Sequence, residues 1–434
     1  MTTMIQPILI LLLIHLISPA IATFLDMKLA LTHVDFGSQF TKLELVQRAA
    51  LRSKARAAWL SIFLSTTNSD SIARADVFVY PSGDLEYVID LAIGTPPRPY
   101  SAILDTGSDL IWTQCSPCLR CIEQPAPLFN PSKSSTFSTL PCSNELCQAF
   151  GNNSYRCSSK KQCIYQYNYG DGTSSQGLFG SETFTFGSTK KVRIPHLGFG
   201  CGTLNAGSLN NGSGLVGVGR GPLSLISQLG ITKFAYCLTY YNGSKKSSLL
   251  LGSLADQYSH TLGPVQTTAI LQNPRVPTVY FVPLEGITVG KKRLNIPKSA
   301  FVVDKNLNGG VIIDSGTAFT QLVDVAYKQV KKAFISYMKL PVVTNDTNFD
   351  LCFSKPSMHV EVPKLVFHFE GADMDLPRQN YILENEDDIG LMCLLMTPIQ
   401  GLSIIGNFQQ HNFRIVYDVK NNKLSFAPTQ CDQL

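Results

Sequence analysis

One pattern occurs twice in this chain of 434 residues. Ala102-Ile103-Leu104-Asp105-Thr106-Gly107-Ser108 and Val311-Ile312-Ile313-Asp314-Ser315-Gly316-Thr317 each read three apolar residues, Asp, a hydroxyl residue, Gly and a second hydroxyl residue. A lone Asp-[Ser/Thr]-Gly triplet would mean little, but two in matching frames, one in each half, constrain the fold. Each apolar triplet reads as the end of a buried strand, and the Gly permits a sharp turn with close backbone approach. An apolar-apolar-Gly element follows each copy: Gly214-Leu215-Val216-Gly217, ending 112 residues after Asp105, and Ser403-Ile404-Ile405-Gly406, ending 92 residues after Asp314. The chain therefore reads as one lobe duplicated, each copy supplying one carboxylate. If the two turns meet on a pseudo-two-fold axis, two like charges come too close for both to ionise, and they share a proton as a coupled pair. Such a pair can offer one base and one acid to the same reaction. Which is the protonated one is left open.

The surrounding texture is β. Glu86 to Ile93 is strand-like and stops at Gly94-Thr95-Pro96-Pro97, and Thr183-Phe184-Thr185-Phe186 alternates with period two. Ile287-Thr288-Val289 and Arg293 to Ile296 flank a Gly290-Lys291-Lys292 turn, a hairpin pattern. Helices are few. One is predicted over Pro222 to Leu229, with Pro at its start and Gly230 past its end. Another covers Asp324 to Met338, with Val325, Ala326, Val330, Ala333, Phe334 and Tyr337 apolar, and a basic one spans residues 40 to 64. The predicted fold class is all-β.

The N-terminus speaks to compartment. Ile8 to Ile17 is apolar except for His15, too short to span a bilayer, and Pro19-Ala20-Ile21-Ala22 places small residues for signal-peptidase cleavage. The segment before it lacks Lys and Arg, a departure from the usual leader. Secretion implies that the twelve cysteines pair as disulfides: Cys115, Cys118, Cys121, Cys142, Cys147, Cys157, Cys163 and Cys201 in the first half, then Cys237, Cys352, Cys393 and Cys431. Pairing mostly within each group is expected. No His accompanies the first cluster, so zinc is disfavoured, and no metal or other cofactor is expected. Asn152, Asn211, Asn242 and Asn345 head glycosylation sequons, at a number chance nearly supplies. No hydrophobic C-terminal tail suggests an anchor.

Taken together, Asp105-Thr106-Gly107-Ser108, Asp314-Ser315-Gly316-Thr317, Tyr169-Gly170-Asp171-Gly172-Thr173 and the cysteines from Cys115 to Cys163 resemble the pepsin-type aspartic endopeptidases, and most closely the plant nepenthesin-type subgroup. The resemblance spans about Leu85 to Cys431. It implies a bilobal fold, two pseudo-two-fold related β-barrel-like lobes with the cleft between them, divided as a leader (1–22), a pro-segment (23–80), an N-terminal lobe with insert and flap (81–245) and a C-terminal lobe (246–434). It implies that Asp105 and Asp314 are catalytic, that Ser108 and Thr317 hydrogen-bond their outer oxygens, that Thr106 and Ser315 cross-brace the loops, and that Gly107 and Gly316 donate backbone amides. Tyr169, with Gly170, stands for the flap, and Trp112 for its hydrogen-bond partner, although core packing is an equal reading for Trp112.

The functional expectation is a secreted monomer, apoplastic or vacuolar, that hydrolyses protein or peptide substrates in acid. Its pro-segment acts as an intramolecular inhibitor. Residues 23 to 80 hold seven Lys or Arg and five Asp or Glu, and five of those basic residues fall between Lys42 and Arg56. One of them is expected to pair with the two Asp residues, and which one is open. The mature start is expected between Ala73 and Leu85. The alternative is a catalytically silent binding protein, resembling the plant xylanase inhibitors. A formal charge of +5 argues against a dedicated nucleic-acid binder. No H-E-x-x-H or G-x-S-x-G occurs, and Gly217-x-Gly219-x-Gly221, superficially a nucleotide loop, is followed by Pro222 and lacks a βαβ context.

Overall fold

The computed structural model describes residues 25–65, 87–151, 154–169, 172–187, 191–209, 212–240, 246–343, 349–355, 360–384 and 390–434, with side chains of the N-terminal helix given through Lys54 and at Arg56. The leader, Gly170, the mature start and the sequons at Asn152, Asn211, Asn242 and Asn345 lie outside them.

The duplication legible in the two Asp-containing frames extends to four strands per lobe. In the first lobe, Arg98–Asp105 pairs in parallel with Gly214–Gly217, placing Gly217 opposite Asp105. Gly214–Gly217 then pairs antiparallel with Ile111–Gln114, which lies parallel to Val192–Ala206. In the second lobe, Val311–Ile313 pairs in parallel with Ser403–Ile405, which pairs antiparallel with Thr320–Val323, which lies parallel to Met396–Ile399. The sense of every pairing repeats in the same order. The apolar triplets before each Asp are buried because these strands are covered on both faces, which is why they read as continuous rather than alternating hydrophobic runs.

A 15-stranded sheet joins the halves. It runs from strands near the C-terminus, Phe413–Asp418 and Lys423–Pro428, through Lys233–Cys237 and Ser247–Leu251, into the first lobe. A strand from the N-terminal segment, Met27–His33, sits in its middle, with Met27 opposite Leu251 and Leu31 opposite both Ser247 and Ile89. Its alternation of buried Met27, Leu29 and Leu31 with exposed Lys28 and Ala30 is the period-two pattern of a paired strand. The sequence reading found a helix in this region and missed this strand.

The helix Asp324–Met338 has the predicted bounds. Ala326, Val330 and Phe334 form its buried stripe, while Val325 and Tyr337, grouped with them in the sequence reading, face solvent. Lys339 in a left-handed conformation ends it. The helix predicted over Pro222 to Leu229 shrinks to Leu225–Gln228, because Ser224 caps it from its side chain and residues 217–221 are drawn into contact with the first Asp loop. The predicted hairpin keeps its turn at Gly290, but its second strand is only Lys292–Arg293, so Lys292 belongs to a strand.

All twelve cysteines pair: Cys115–Cys201, Cys118–Cys121, Cys142–Cys157, Cys147–Cys163, Cys237–Cys431 and Cys352–Cys393. Every bridge stays within the two groups distinguished in the sequence. Cys237–Cys431 nonetheless ties a strand numbered in the first lobe to the chain's end, because both contribute to the sheet shared by the halves. Among the described residues, no helix is long and apolar enough to cross a membrane.

Candidate active site

Asp105 ends the strand Arg98–Asp105, and Asp314 directly follows Val311–Ile313. Parallel neighbours hold both loops: Val218 N–H donates to the Asp105 carbonyl at 2.8 Å, and Asp314 N–H donates to the Ile405 carbonyl at 3.0 Å. Both carboxylates are buried, at 0% and 1% exposure. Each accepts the backbone N–H two residues on, Gly107 to Asp105 Oδ1 at 2.9 Å and Gly316 to Asp314 Oδ1 at 3.1 Å.

The loops also hold one another. Thr106 Oγ1 accepts the Ser315 N–H at 2.9 Å, lies 3.2 Å from Ser315 Oγ, and donates to Asp314 Oδ1 at 3.2 Å. Thr317 Oγ1 donates to Asp314 Oδ2 at 2.7 Å. Its counterpart differs from the sequence expectation: Ser108 Oγ and Asp105 Oδ2 are both buried, and among the described residues neither has a hydrogen-bond partner. The Asp105 carboxylate is instead held through Oδ1, by Gly107 and by a cation.

That cation is Arg56. Its Nε donates to Asp314 Oδ2 at 2.7 Å, and its Nη2 donates to Asp105 Oδ1 at 2.7 Å and to Asp314 Oδ1 at 3.1 Å. One nitrogen therefore touches both carboxylates, which brings Asp105 and Asp314, far apart in the chain, within the reach of a single guanidinium. Burial on its own would drive the Asp314 carboxyl up. The Arg56 charge and hydrogen bond, with those of Thr317 and Gly316, outweigh it and hold Asp314 below the ordinary carboxylate range.

The comparisons fall on the same residues. Residues 87–253 match the xylanase inhibitor N-terminal family and residues 279–428 the xylanase inhibitor C-terminal family. Aspartic proteinase nepenthesin-1 of Nepenthes gracilis is 49% identical over 410 residues, covering 93% of this chain and 90% of that protein. This chain belongs to the plant nepenthesin-type aspartic proteinases. Aspartyl protease family protein 2 of Arabidopsis thaliana is 41% identical over 358 residues, covering 80% of this chain and 72% of that protein. Among solved structures, edgp matches with a TM-score of 0.66 at 20% identity, covering 81% of this chain and 93% of that one, and soybean basic 7S globulin with 0.64 at 18%, covering 80% and 94%. Those two show the fold alone. As a nepenthesin-type proteinase the chain is an aspartic endopeptidase.

The hairpin expected from the sequence to be the flap has Cys163–Asn168 as its first strand. Tyr169 N–H donates to the Thr173 carbonyl at 2.7 Å, and Gly172 turns the chain with a φ of +81°. Tyr169 packs on Trp112 with ring centroids 6.3 Å apart. The Tyr169 hydroxyl and Trp112 Nε1 are both buried. Burial pushes the Tyr169 phenol well above its ordinary range, and Trp112 acts against that rise as a hydrogen-bond partner would. The cysteine-rich insert supports this hairpin: Cys147–Cys163 clamps its first residue, and Cys147, Tyr165, Phe179 and Trp112 share one small core with Tyr169.

Arg56 and Arg52 were two of five basic candidates in the sequence, and Ser53 of the same helix Lys42–Ser65 went unnoticed. Ser53 Oγ accepts the N–H groups of Ala318 and Phe319, both at 3.0 Å, and its carbonyl accepts Gln321 Nε2 at 2.6 Å. Arg52 pairs with the buried Asp35 at 3.1 Å. Arg52 and Arg56 are four apart and share a helix face, with Ser53 beside them. That spacing was the available signal.

Proposed function

We propose that this proteinase is made as a latent, secreted zymogen and that its mature form hydrolyses peptide bonds in acid by water activated between Asp105 and Asp314. Arg56 carries this reading. A guanidinium seated across both carboxylates occupies the space where a water and a scissile carbonyl would have to sit. Without it, two buried carboxylates this close would share one proton, leaving one as base toward water and the other as acid toward the carbonyl oxygen. Water attacks directly, so no acyl-enzyme forms. Thr317, Gly107 and Gly316 orient the pair, Thr106 and Ser315 lock the loops, and Tyr169 closes over the substrate. The Lys42–Ser65 helix acts as an intramolecular inhibitor that leaves when acid protonates the carboxylates. Six disulfides and the apolar leader support passage through an oxidising compartment, with the apoplast or the vacuole as destination.

The test is cleavage of denatured protein at about pH 3 to 5, before and after acid treatment, with and without pepstatin. Acid treatment should release the pro-segment and yield pepstatin-sensitive cleavage. Asp105→Asn and Asp314→Asn should each remove that cleavage while leaving the fold. Activity retained in either variant excludes a two-carboxylate mechanism.

A further inference from the structure

The glycine run Gly217-Val218-Gly219-Arg220-Gly221 has no role in the chemistry above, yet a Cβ at Gly217, Gly219 or Gly221 would in each case run into Asp109, with Ser108 also struck at the first two. Asp109 is buried, four residues beyond Asp105. Its Oδ1 accepts the Gly221 N–H at 2.8 Å and its Oδ2 accepts the Thr278 hydroxyl at 2.7 Å. Thr278 belongs to the second lobe, and its carbonyl accepts the Arg220 N–H at 2.9 Å. The same glycine loop bonds the first Asp loop along its length, Val218 N–H to the Asp105 carbonyl at 2.8 Å and Gly219 N–H to the Ser108 carbonyl at 2.9 Å. One carboxylate thus fastens the loop that carries Asp105 to the glycine run and to the opposite lobe. The duplication does not repeat it, because Ala318 stands at the equivalent position after Asp314.

We propose that Asp109 is a positioning residue for the reaction: through Gly221 and Thr278 it sets where the first lobe's catalytic loop stands against the second lobe, and so the alignment of Asp105 with Asp314. This rests on the two-carboxylate reading. The groups around Asp109 are Asp105 on its own loop, Tyr167 of the flap strand, and Arg220, Thr278 and Tyr280 across from it. Arg220 turns away, its guanidinium held by the Leu271 carbonyl and by Asn422 Oδ1. Burial raises the Asp109 carboxyl above its ordinary range against the opposing Thr278 and Gly221 bonds, and the Asp105 charge adds to the rise. Asp109 therefore holds a proton more readily than an ordinary Asp does. On ionising at higher pH it places a second negative charge beside Asp105, which raises the dyad's hold on its shared proton.

The experiment compares the acid-activated full-length proteinase with Asp109→Ala, Asp109→Asn and Thr278→Val, measuring kcat, KM and the pH dependence of kcat/KM on one peptide substrate. Asp109→Ala should lower kcat by about tenfold or more, and Thr278→Val by about three- to tenfold, with KM within about threefold of the parent. Asp109→Asn keeps an acceptor for Gly221 and a donor for Thr278, so it should restore kcat at low pH to within about threefold. Its alkaline limb should move toward acid, because the extra charge is gone. If Asp109→Ala does not fold, Thr278→Val decides. The proposal is overturned by kcat within twofold of the parent in Thr278→Val, by losses confined to KM, or by an unshifted alkaline limb in Asp109→Asn. A parent without pepstatin-sensitive activity overturns the two-carboxylate reading, and this proposal with it.

Discussion

Arg56 Nε and Asp314 Oδ2 meet at 2.7 Å, in a pair where both side chains are more than nine-tenths buried. A guanidinium is always charged at the pH of any cell compartment, so the only partner that can release this contact by titrating is the carboxylate. The folded Asp314 carboxyl lies below its ordinary value of 3.8. A depressed carboxyl contributes stability that is fully present above that ordinary value and is lost as pH falls through the depressed one. The latch should therefore hold at neutral and mildly acid pH and open below about pH 4.

Arg56→Gln removes the charge that outweighs burial. Asp314 then returns upward, and the pH at which the zymogen opens should rise by about 1 to 3 units. Timed self-cleavage across a pH series reads this directly. A variant that stays latent down to the same pH as its parent would show that Arg56 is not the latch. Lys54→Gln, a neighbour that touches neither carboxylate, is the control and should leave the opening pH in place.

Ser53 makes a separate contribution to docking. Its hydroxyl accepts two buried N–H groups, those of Ala318 and Phe319. Ser53→Val fills similar space without an acceptor, and leaving buried donors unpaired costs about 1 to 3 kcal/mol. At a fixed mildly acid pH, release of the pro-segment should quicken by roughly tenfold or more, followed by the appearance of the shortened chain on a gel. A release rate within twofold of the parent would assign the docking to Arg56 and to the apolar contacts of Val46, Ala49 and Ala50.

How much of this was legible follows from how local each signal is. The duplicated frames gave both carboxylates, because an Asp at the end of an apolar triplet with a glycine turn is written in seven consecutive residues. The helix Asp324–Met338 was legible to its ends, since its buried stripe and its αL terminator are also local. Arg56 was not singled out: its role depends on the helix docking across a cleft formed by residues 49 and 258 positions away. The strand Met27–His33 was missed although its alternation was visible, because its partners Ser247–Leu251 lie on the far side of the first lobe's sequence. The Ser108 expectation assumed two symmetric carboxylates. Arg56 breaks that symmetry, taking two oxygens of Asp314 and one of Asp105.

Gly217 ends its strand and Gly406 directly follows the equivalent one, and the two should respond alike. A Cβ on Gly217 would strike the Asp109 backbone, and one on Gly406 the backbone of Ala318 and Phe319. Neither neighbour is a movable side-chain end, so Gly217→Ala and Gly406→Ala should each destabilise the chain by about 3 kcal/mol. Gly230→Ala meets open space, although its φ of +63° carries a smaller backbone cost of about 1 kcal/mol. Chemical denaturation of the three variants checks the ranking, and a Gly230→Ala cost equal to the other two would remove the close-approach argument.

Cys237–Cys431 closes the longest loop of the six bridges, at a separation of 194 residues, and Cys118–Cys121 the shortest, at 3. If a bridge acts mainly by restricting the unfolded chain, its contribution grows with the logarithm of the loop, and these two should differ by about 3.5 kcal/mol. Cys431 also anchors the residues after Lys423–Pro428, the strand that pairs Phe413–Asp418 within the shared sheet. Paired Cys→Ser replacement at 237 and 431 should cost about 2 to 5 kcal/mol and expose the last strands to proteolysis first. The same replacement at 118 and 121 should leave the denaturation midpoint much closer to the parent. Equal losses in the two variants would mean that native-state geometry, rather than loop length, sets what each bridge contributes.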